Sequence, residues 1–243
     1  MSTYEQLRQR CLSESTRAFN ARGKSVVRCE SCQLASFACL CQWRPCSASR
    51  CDFVVLMHRD EVFKPTNTGR LIADVFPENV HYFSWSRTSP DSELLQLISD
   101  RGRQCFIIYP AAAGGARDVF SEIPAVGDKR PTFILLDGTW KQSGRMFHLS
   151  RWLETVPVLC LPDTLLRGYA VRKSHQDHYL STVEAAALCL QLAEEPMQGE
   201  VLLDYFALFN LHYLATRGCY TPEVGEVHHR LNPVSHQQNA IAG

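Results

Sequence analysis

The sequence predicts an α/β domain built on a largely parallel sheet. Short apolar runs alternate with helical segments along most of the 243 residues, which is typical of βαβ units. The runs have few alternating polar positions, as expected for strands that are covered on both faces. At 45% hydrophobic residues, the chain can bury one substantial core and a small appendage. We expect an N-terminal unit at 1–51, the α/β domain at 52–218 and a polar tail at 219–243.

The N-terminal unit is basic, although the whole chain balances 25 basic against 25 acidic residues. It contains eight Lys or Arg residues and three Glu residues, a net charge of +5 that favours an anionic partner. A solvated basic surface is the alternative interpretation. Residues 3–22 suit a basic helix with a sparse apolar stripe, which we interpret as a surface arm. The eight cations are Arg8, Arg10, Arg17, Arg22, Lys24, Arg28, Arg44 and Arg50.

A cysteine cluster follows the basic segment. Its spacing, which begins with a Cys-x-x-Cys pair, lets two tight turns close a tetrahedral four-sulfur site, and such a site suits zinc. A redox pair is disfavoured because no βαβ pattern flanks the motif. Independent buried cysteines are the alternative, and Cys46 or Cys51 could replace a ligand. The predicted ligands are Cys29, Cys32, Cys39 and Cys41.

The sequence also restricts the expected location of the protein. It opens with a polar segment and contains no apolar run long enough to span a membrane. Eleven cysteines in a chain of this length do not indicate a disulfide scaffold. We therefore expect a soluble cytoplasmic protein with reduced thiols.

The predicted strands end in loops of distinctive composition. Parallel strands of an open sheet end at the same edge, where ligands bind, so we expect the loops after Tyr109, Asp137 and Leu161 to converge. The loop after Tyr109 is rich in Ala and Gly, and the loop after Leu161 is cationic. Neither a GxGxxG fingerprint nor a Walker lysine is present. The predicted strands are Phe53–Met57, Val80–Trp85, Cys105–Pro110, Phe133–Leu136 and Val156–Leu161.

The helices between these strands carry recognisable capping signals. Asn67 or Thr66 is expected to cap a short helix, and Gly69 to permit a close backbone approach. Ser181 or Thr182 suits an N-cap with Glu184 in the first turn. The longer predicted helices are Asp91–Arg101, Lys141–Trp152, a helix that starts near Ser181, and Glu200–Thr216.

The segment Asp137-Gly138-Thr139-Trp140 is the centre of the candidate site. A strand followed by an Asp-Gly turn would explain its first half, but a Trp on a loop needs something to pack on. Trp140 could stack on a substrate base or pack under the loop, and we favour packing. His58, at another strand end, suits a structural hydrogen bond and a substrate contact equally well.

These motifs together resemble the DTW-domain family. Asp137–Trp140 matches its D-x-T-W signature, and the resemblance extends from about Cys29 to Tyr213, including the cysteine cluster. Ser143 departs from the family pattern, where we expect alanine. The other matching residues, in the family's order, are His58, Glu61, Asn67–Leu71, Tyr109–Pro110 and Leu180–Ala185.

The resemblance implies a tRNA-uridine aminocarboxypropyltransferase. Such enzymes move the 3-amino-3-carboxypropyl group of S-adenosylmethionine to N3 of a tRNA uridine. It also implies a SPOUT-like fold, in which a C-terminal trefoil knot holds the cofactor between three loops, beside a small zinc unit. The alternatives are an RNA methyltransferase that uses the same cofactor and a non-catalytic zinc and RNA-binding module. The uridine position and the oligomeric state are not specified.

The resemblance and the strand-end chemistry assign roles to individual residues. Asp137 is the candidate general base or orienting group, Thr139 a helix cap, and Trp140 a base or loop contact; these three form the catalytic set. Arg172 and Lys173 are expected to hold the carboxylate of the transferred group or a tRNA phosphate. The cofactor set is Tyr109, Pro110, Leu136, Asp137, Gly138, Leu161, Arg172, Ser181 and Thr182. The substrate set is His58, Glu61, Asn67, Thr68, Arg70 and Lys173.

Overall fold

A parallel sheet forms the centre of the molecule. The computed structural model describes residues 3–15, 26–110, 115, 117–125, 127–166 and 180–231. Within these ranges six strands pair in the order β2-β1-β5-β3-β6-β4, and every pairing is parallel. The predicted α/β class is therefore confirmed. The strands are β1 (Asp52–Met57), β2 (Val80–Ser84), β3 (Arg103–Ile108), β4 (Val119–Phe120), β5 (Arg130–Asp137) and β6 (Val158–Leu159).

Helices cover both faces of this sheet. Short 3-10 turns lie at Ser36–Ala38, Cys41–Trp43 and Arg151–Leu153. The α-helices of the described ranges are α1 (Thr3–Ser13), α2 (Leu71–Val75), α3 (Ser92–Ser99), α4 (Trp140–Leu149), α5 (Thr182–Leu192), α6 (Pro196–Gly218) and α7 (Glu226–Leu231).

The unbroken apolar runs reflect a sheet with a core on each side. In β1, Phe53 and Val55 face one core, together with side chains of α1, α2, α5 and α6. Val54 and Leu56 face the other, together with side chains of α3 and α4. Both faces of the strand are thus excluded from water, so selection for apolar residues acts at every position.

The register of the sheet brings two predicted site segments together. β5 lies between β1 and β3, and Asp137 pairs with Met57 at the end of β1. His58, the residue after β1, donates its backbone N–H to the carbonyl of Asp137 at 2.9 Å. The carboxyl ends of β1 and β5 therefore form one continuous edge.

The bounds of the predicted elements differ from the observed ones by up to four residues, and two of them show a physical cause. The strand expected at Val156–Leu161 is limited to Val158–Leu159, where its neighbour β4 is only two residues long and Pro157 lacks an N–H. The helix expected at Lys141–Trp152 begins at Trp140 and stops at Leu149, and a separate 3-10 turn follows.

The two chain ends differ more from expectation. We expected a surface arm at residues 3–22, but Tyr4, Leu7 and Cys11 of α1 are buried in the main core, and the Tyr4 hydroxyl donates to Val62 O at 2.8 Å. Residues 16–25 lie outside the described ranges. Part of the expected polar tail forms α7, because His228 is buried against α6 and bonds to His212.

Candidate functional site

A cavity of about 460 Å³ opens beside the ends of β3 and β5 and is mainly apolar. We call it the apolar pocket. Its volume lies within the range of sites for small molecules and cofactors. The side chains and backbone around it come from three strand ends and from the starts of α4 and α5. They are Ile108, Tyr109, Pro110, Leu135, Leu136, Gly138, Trp140, Ser143, Cys160, Leu161, Asp163, Leu166, Leu180, Ser181, Thr182 and Ala185.

One wall of the apolar pocket is a fixed aromatic stack. The rings of Tyr109 and Phe147 lie parallel, 4.1 Å apart with an angle of 9°. The guanidinium of Arg117 lies 4.2 Å from the centre of the same Phe147 ring. The Tyr109 ring and the Arg117 guanidinium are both too close to Phe147 to lie on the same face of its ring. The Phe147 ring is therefore held between them. This stack keeps the Tyr109 ring in place as a flat apolar surface.

A smaller cavity of about 250 Å³ adjoins the first and has a polar lining. We call it the polar pocket. Four residues line both cavities, and the shared wall is formed by the turn after β5 and the start of α5. The shared residues are Gly138, Leu180, Ser181 and Thr182. The polar pocket is also lined by Glu61, Lys64, Thr66, Asn67, Thr68, Asp137 and Thr139.

Asp137 is the more deeply buried of the two carboxylates that line the polar pocket, with 3% of its surface exposed against 8% for Glu61. Its Oδ1 accepts a hydrogen bond from the Thr182 hydroxyl at 2.5 Å, and its Oδ2 accepts one from the Asn67 amide at 2.5 Å. Burial raises the pKa of Asp137 to about 6, although both hydrogen bonds act to lower it. Each oxygen retains a second lone pair, so the group can still accept a proton.

The segment that contains Asn67 is held tightly around this carboxylate. The Asn67 side chain accepts the backbone N–H of Arg70 at 3.1 Å while it donates to Asp137. Gly69 lies so close that a Cβ placed on it would meet Cγ and Oδ1 of Asp137 at 3.1 Å. The close backbone approach expected at Gly69 therefore occurs, and the group that it approaches is the carboxylate of Asp137. The expected cap at Asn67 takes the form of a turn, since α2 begins only at Leu71.

Two helices begin at the pockets, each with a capping box. Thr139 accepts the Gln142 N–H at 3.3 Å, and the Gln142 side chain accepts the Thr139 N–H at 2.8 Å. At α5, the Glu184 carboxylate accepts both the N–H and the hydroxyl of Ser181 at 2.7 Å. The capping roles predicted for Thr139 and Ser181 match this geometry. Helix N-termini favour nearby negative charge, so both pockets suit an anionic group at this end.

The predicted cofactor residues meet in one place. All of them within the described ranges, apart from Asp137, line the apolar pocket. Asp137 lines the polar pocket instead, on the other side of the shared wall. Arg172, a predicted cofactor contact, and Lys173, a predicted substrate contact, lie outside the described residues. The cofactor residues that meet are Tyr109, Pro110, Leu136, Gly138, Leu161, Ser181 and Thr182.

The predicted substrate residues divide into two groups. Glu61, Asn67 and Thr68 line the polar pocket with Asp137. Arg70 was predicted wrongly, because its guanidinium is buried, donates to Cys32 O at 2.6 Å and lies over the Phe209 ring. Its cation is thus used to join the cysteine cluster to the domain core.

His58 lies beside the site but lines neither pocket. Its ring stacks on Trp85 at 5.9 Å, and its Nδ1 lies 3.1 Å from the Gln142 amide nitrogen and 3.3 Å from Asp60 N. Of the two interpretations offered by the sequence, these contacts favour the structural one. They tie the end of β1 to the first turn of α4.

Trp140 is only half-buried: the residue is 48% exposed and lines the apolar pocket. Packing, which the sequence favoured, therefore accounts for only part of its surface, and the exposed part can contact a bound molecule. Ser143, the departure from the family pattern, lines the same pocket and donates to Trp140 O at 3.2 Å.

Several pocket residues had no signal in the sequence. Asp163 contributes a carboxylate to the apolar pocket, and it is the only charged side chain among the residues that line this cavity in the described part of the chain. Lys64 lines the polar pocket and pairs with Glu61 at 2.6 Å. Lys64 lies in a loop and Asp163 begins a short helical turn at residues 163–166, and only the folded chain brings them to the site.

The four predicted zinc ligands converge. The Sγ atoms of Cys29, Cys32, Cys39 and Cys41 all lie within 4.8 Å of one another. Two pairs, Cys29–Cys41 at 3.7 Å and Cys32–Cys39 at 3.8 Å, have nearly the separation of about 3.8 Å that a tetrahedral site with Zn–S bonds of about 2.3 Å requires. The cluster therefore fits a structural zinc ion. Cys46 and Cys51 are not part of this group.

The described cations of the N-terminal unit are mostly engaged within the protein. Arg10 pairs with Asp91 at 3.2 Å, Arg44 with Asp74 at 2.9 Å, and Arg50 with Glu195 at 3.1 Å. Arg8 and Arg28 both bond to Gln33. Arg17, Arg22 and Lys24 lie outside the described residues. Fewer positive charges of the N-terminal unit are therefore available to bind an anionic partner than the sequence suggests.

One further property concerns membranes. Across the described ranges, no helix combines the length and the apolar character that crossing a bilayer requires.

Comparison with known proteins finds sequences similar to most of the chain. The family model described as "DTW domain" matches residues 26–214. A Macaca fascicularis protein named tRNA-uridine aminocarboxypropyltransferase 2 is 26% identical over 181 residues, which are 71% of this chain and 58% of that protein. The Mus musculus protein of the same name is 26% identical over 176 residues, 69% of this chain and 56% of that protein. The chain thus spans little more than half the length of these relatives. No solved structure matches the chain.

Proposed function

Because the chain belongs to the DTW domain family, we propose that it is a tRNA-uridine aminocarboxypropyltransferase that uses S-adenosylmethionine as its donor. The observation that carries this proposal is the position of Asp137. Its carboxylate lies in the polar pocket, next to a wall shared with the larger apolar pocket. A donor in the apolar pocket and a uracil ring in the polar pocket would meet beside the Asp137 carboxylate.

The apolar pocket suits the adenosyl part of the donor. Its volume of about 460 Å³ and its flat Tyr109 wall favour a large heteroaromatic ring. The amino-acid end of the donor carries an ammonium and a carboxylate. We propose that Asp163 pairs with the ammonium, while the start of α5 at Ser181 favours the carboxylate. Arg172 remains a second candidate for that carboxylate.

The polar pocket suits the uracil ring. Glu61, Asn67, Thr66 and Thr68 offer donors and acceptors for its polar edges. N3 of uridine is a weak acid and must lose its proton to attack carbon. We propose that the Asp137 carboxylate takes this proton, since burial raises its pKa to about 6 and makes it a stronger base than an exposed carboxylate. The alternative is that Asp137 only orients the ring.

The transfer is a single displacement. N3 forms a bond to the carbon next to sulfur in the aminocarboxypropyl chain, and the carbon–sulfur bond breaks. The electron pair of that bond neutralises the sulfonium, methylthioadenosine leaves, and the N3 proton stays on Asp137 until solvent removes it. Since the sulfonium is already a good leaving group, the enzyme mainly selects which carbon faces N3.

Three further features complete the proposal. The proposal keeps the SPOUT-like fold with a C-terminal trefoil knot; residues 167–179, between β6 and α5, lie outside the described residues. The four clustered cysteines would hold a structural zinc ion, which takes no part in the transfer. A tRNA substrate and reduced thiols suit the cytoplasm as the place of work.

The second candidate function is methyl transfer to RNA, favoured by the same donor pocket. Nucleoside mass spectrometry separates the two. Undermodified tRNA is incubated with the protein and S-adenosylmethionine and then digested to nucleosides. The proposal expects a uridine that carries the aminocarboxypropyl group. A methylated nucleoside would support the alternative, and an unchanged uridine pool together with absent donor binding would indicate a non-catalytic module.

A further inference from the structure

The outward face of α4 carries positive charge and begins at the pocket mouth. Lys141, Arg145 and His148 are exposed at positions i, i+4 and i+7, so they lie on one side of the helix. The opposite side, with Met146 and Phe147, is buried in the core. Arg151 is exposed just beyond the helix end. We call Lys141, Arg145, His148 and Arg151 the α4 cationic face.

The charges of Lys141, Arg145 and Arg151 form no ion pair with another described residue, whereas Arg10, Arg44 and Arg50 are each paired. The sequence of α4 contains neither Asp nor Glu. The one hydrogen bond between an acidic side chain and α4 in the described residues joins Asp60 to Gln142, at 3.2 Å.

Helix stability does not explain the positions of Lys141 and Arg145, although the dipole of α4 favours His148 in its last turn. Lys141 lies in the first turn of α4, where positive charge opposes the helix dipole. Exposed helical cations usually gain from acids three or four residues away, and here the helix offers none. An external anionic partner accounts for the arrangement better than folding does.

The face is continuous with the candidate active site. Trp140, which lines the apolar pocket and is 48% exposed, directly precedes Lys141. Arg145 follows Lys141 by about one helical turn, or roughly 6 Å along the axis. An exposed aromatic ring followed by a row of cations is the arrangement that single-stranded nucleic acid uses, with bases on the ring and phosphates on the cations.

We propose that the α4 cationic face binds the phosphate backbone of the tRNA strand next to the target uridine, with Trp140 stacked on a neighbouring base. This inference rests on the proposed function for its choice of RNA. It differs from the sequence expectation, in which the N-terminal unit docks the tRNA, because the described cations of that unit already have partners within the protein.

The test uses two charge-matched double variants. Lys141→Gln with Arg145→Gln removes two charges from the face. Arg101→Gln with Lys129→Gln removes two exposed charges just before β3 and β5, at the opposite edge of the sheet. The dissociation constant for tRNA is measured by filter binding across a series of salt concentrations. Removing two phosphate contacts should weaken binding and reduce the slope of log K against log salt by about 1.5.

The control variant should retain the wild-type slope and affinity. Both variants should keep the wild-type melting temperature and affinity for S-adenosylmethionine, so an effect on RNA alone identifies the face. An unchanged slope in the Lys141/Arg145 variant would overturn the inference. So would a variant that binds tRNA normally and loses binding only to anionic phosphatidylserine vesicles, measured in parallel. Because binding is measured without turnover, a protein that binds tRNA through this face but transfers nothing would contradict the proposed function and leave the inference intact.

Discussion

Gly69 lies directly against the carboxylate of Asp137. A Cβ placed on Gly69 would stand 3.1 Å from Cγ and Oδ1 of Asp137 and 3.3 Å from Oδ2. Those contacts are tighter than ordinary van der Waals packing, so the segment around Asn67 can enclose the carboxylate only where a side chain is absent. The backbone next to α2 and the end of β5 therefore define the polar pocket together.

Gly69→Ala should impair transfer more than it impairs folding. The added methyl group must displace the carboxylate, and misplacement of a reacting group by about 1 Å can cost about 100-fold in rate. Overpacking at one methyl group costs about 1–3 kcal/mol of unfolding free energy. Steady-state kinetics and thermal unfolding measure the two effects.

Gly225→Ala is the matched control, since no atom lies within 4 Å of a Cβ placed there. Its rate should equal that of the wild type. Wild-type turnover in the Gly69 variant would mean that the carboxylate position is unimportant for the reaction.

Asp137→Asn should abolish most transfer while it preserves the site. The amide has the same shape as the carboxylate, and the Thr182 hydroxyl, which donates to Asp137, can rotate to accept from the amide nitrogen of the variant instead. Loss of a general base typically costs about 10²–10⁴-fold in rate. Calorimetry should show unchanged donor affinity, and rapid-quench assays should show the loss in the chemical step. A variant with near-normal rates would remove Asp137 from the role of base.

The pH dependence of the wild-type rate provides a separate prediction. Burial raises the pKa of Asp137 to about 6, and only the ionised form can accept the N3 proton. The single-turnover rate should therefore fall as pH drops through about 6. The Asp137→Asn variant should lack this acid limb. A limb that persists in the variant would assign the titration to another group.

The sequence predicted the chemistry of strand ends better than the contacts made by loops. Asp137 follows a continuous apolar run, and Thr139 and Ser181 begin local capping patterns. Interactions between residues that are close in the sequence were therefore sufficient to predict their positions. Arg70 was misassigned because its environment depends on distant residues. The Arg70 cation is engaged by Cys32 and Phe209, which only the folded chain brings near.

The same distinction applies to the rest of the fold. The parallel sheet followed from its apolar runs, while the docking of α1 through Tyr4 and Leu7 could not be read from a sparse stripe. Asp163 was missed because a single carboxylate in a short helical turn has no periodic signal. The convergence of the four cysteines was predictable because a tetrahedral site would constrain their spacing along the chain.

Asp163→Asn should weaken binding of S-adenosylmethionine by up to about fivefold, as expected for the loss of an exposed charge pair. Isothermal titration calorimetry measures this change. Methylthioadenosine, which lacks the aminocarboxypropyl group and its ammonium, is the control ligand, and its affinity should not change. Equal weakening for both ligands would place Asp163 near the adenosyl part instead.

Cys32→Ser should remove bound zinc and destabilise the N-terminal unit. Elemental analysis of the purified wild type should give about one zinc ion per chain, and the variant should give much less. Cys46→Ser is the control, because Cys46 is exposed and outside the cluster. If loss of Cys46 removed the metal as completely as loss of Cys32, the proposed ligand set would be wrong.

We expect the protein to transfer the aminocarboxypropyl group of its donor and not the methyl group. S-adenosylmethionine radiolabelled either in its carboxyl carbon or in its methyl carbon is supplied, and the label in precipitated tRNA is counted. The carboxyl label should enter tRNA, while the methyl label should remain in methylthioadenosine. Methyl label in tRNA, with carboxyl label left in solution, would contradict aminocarboxypropyl transfer.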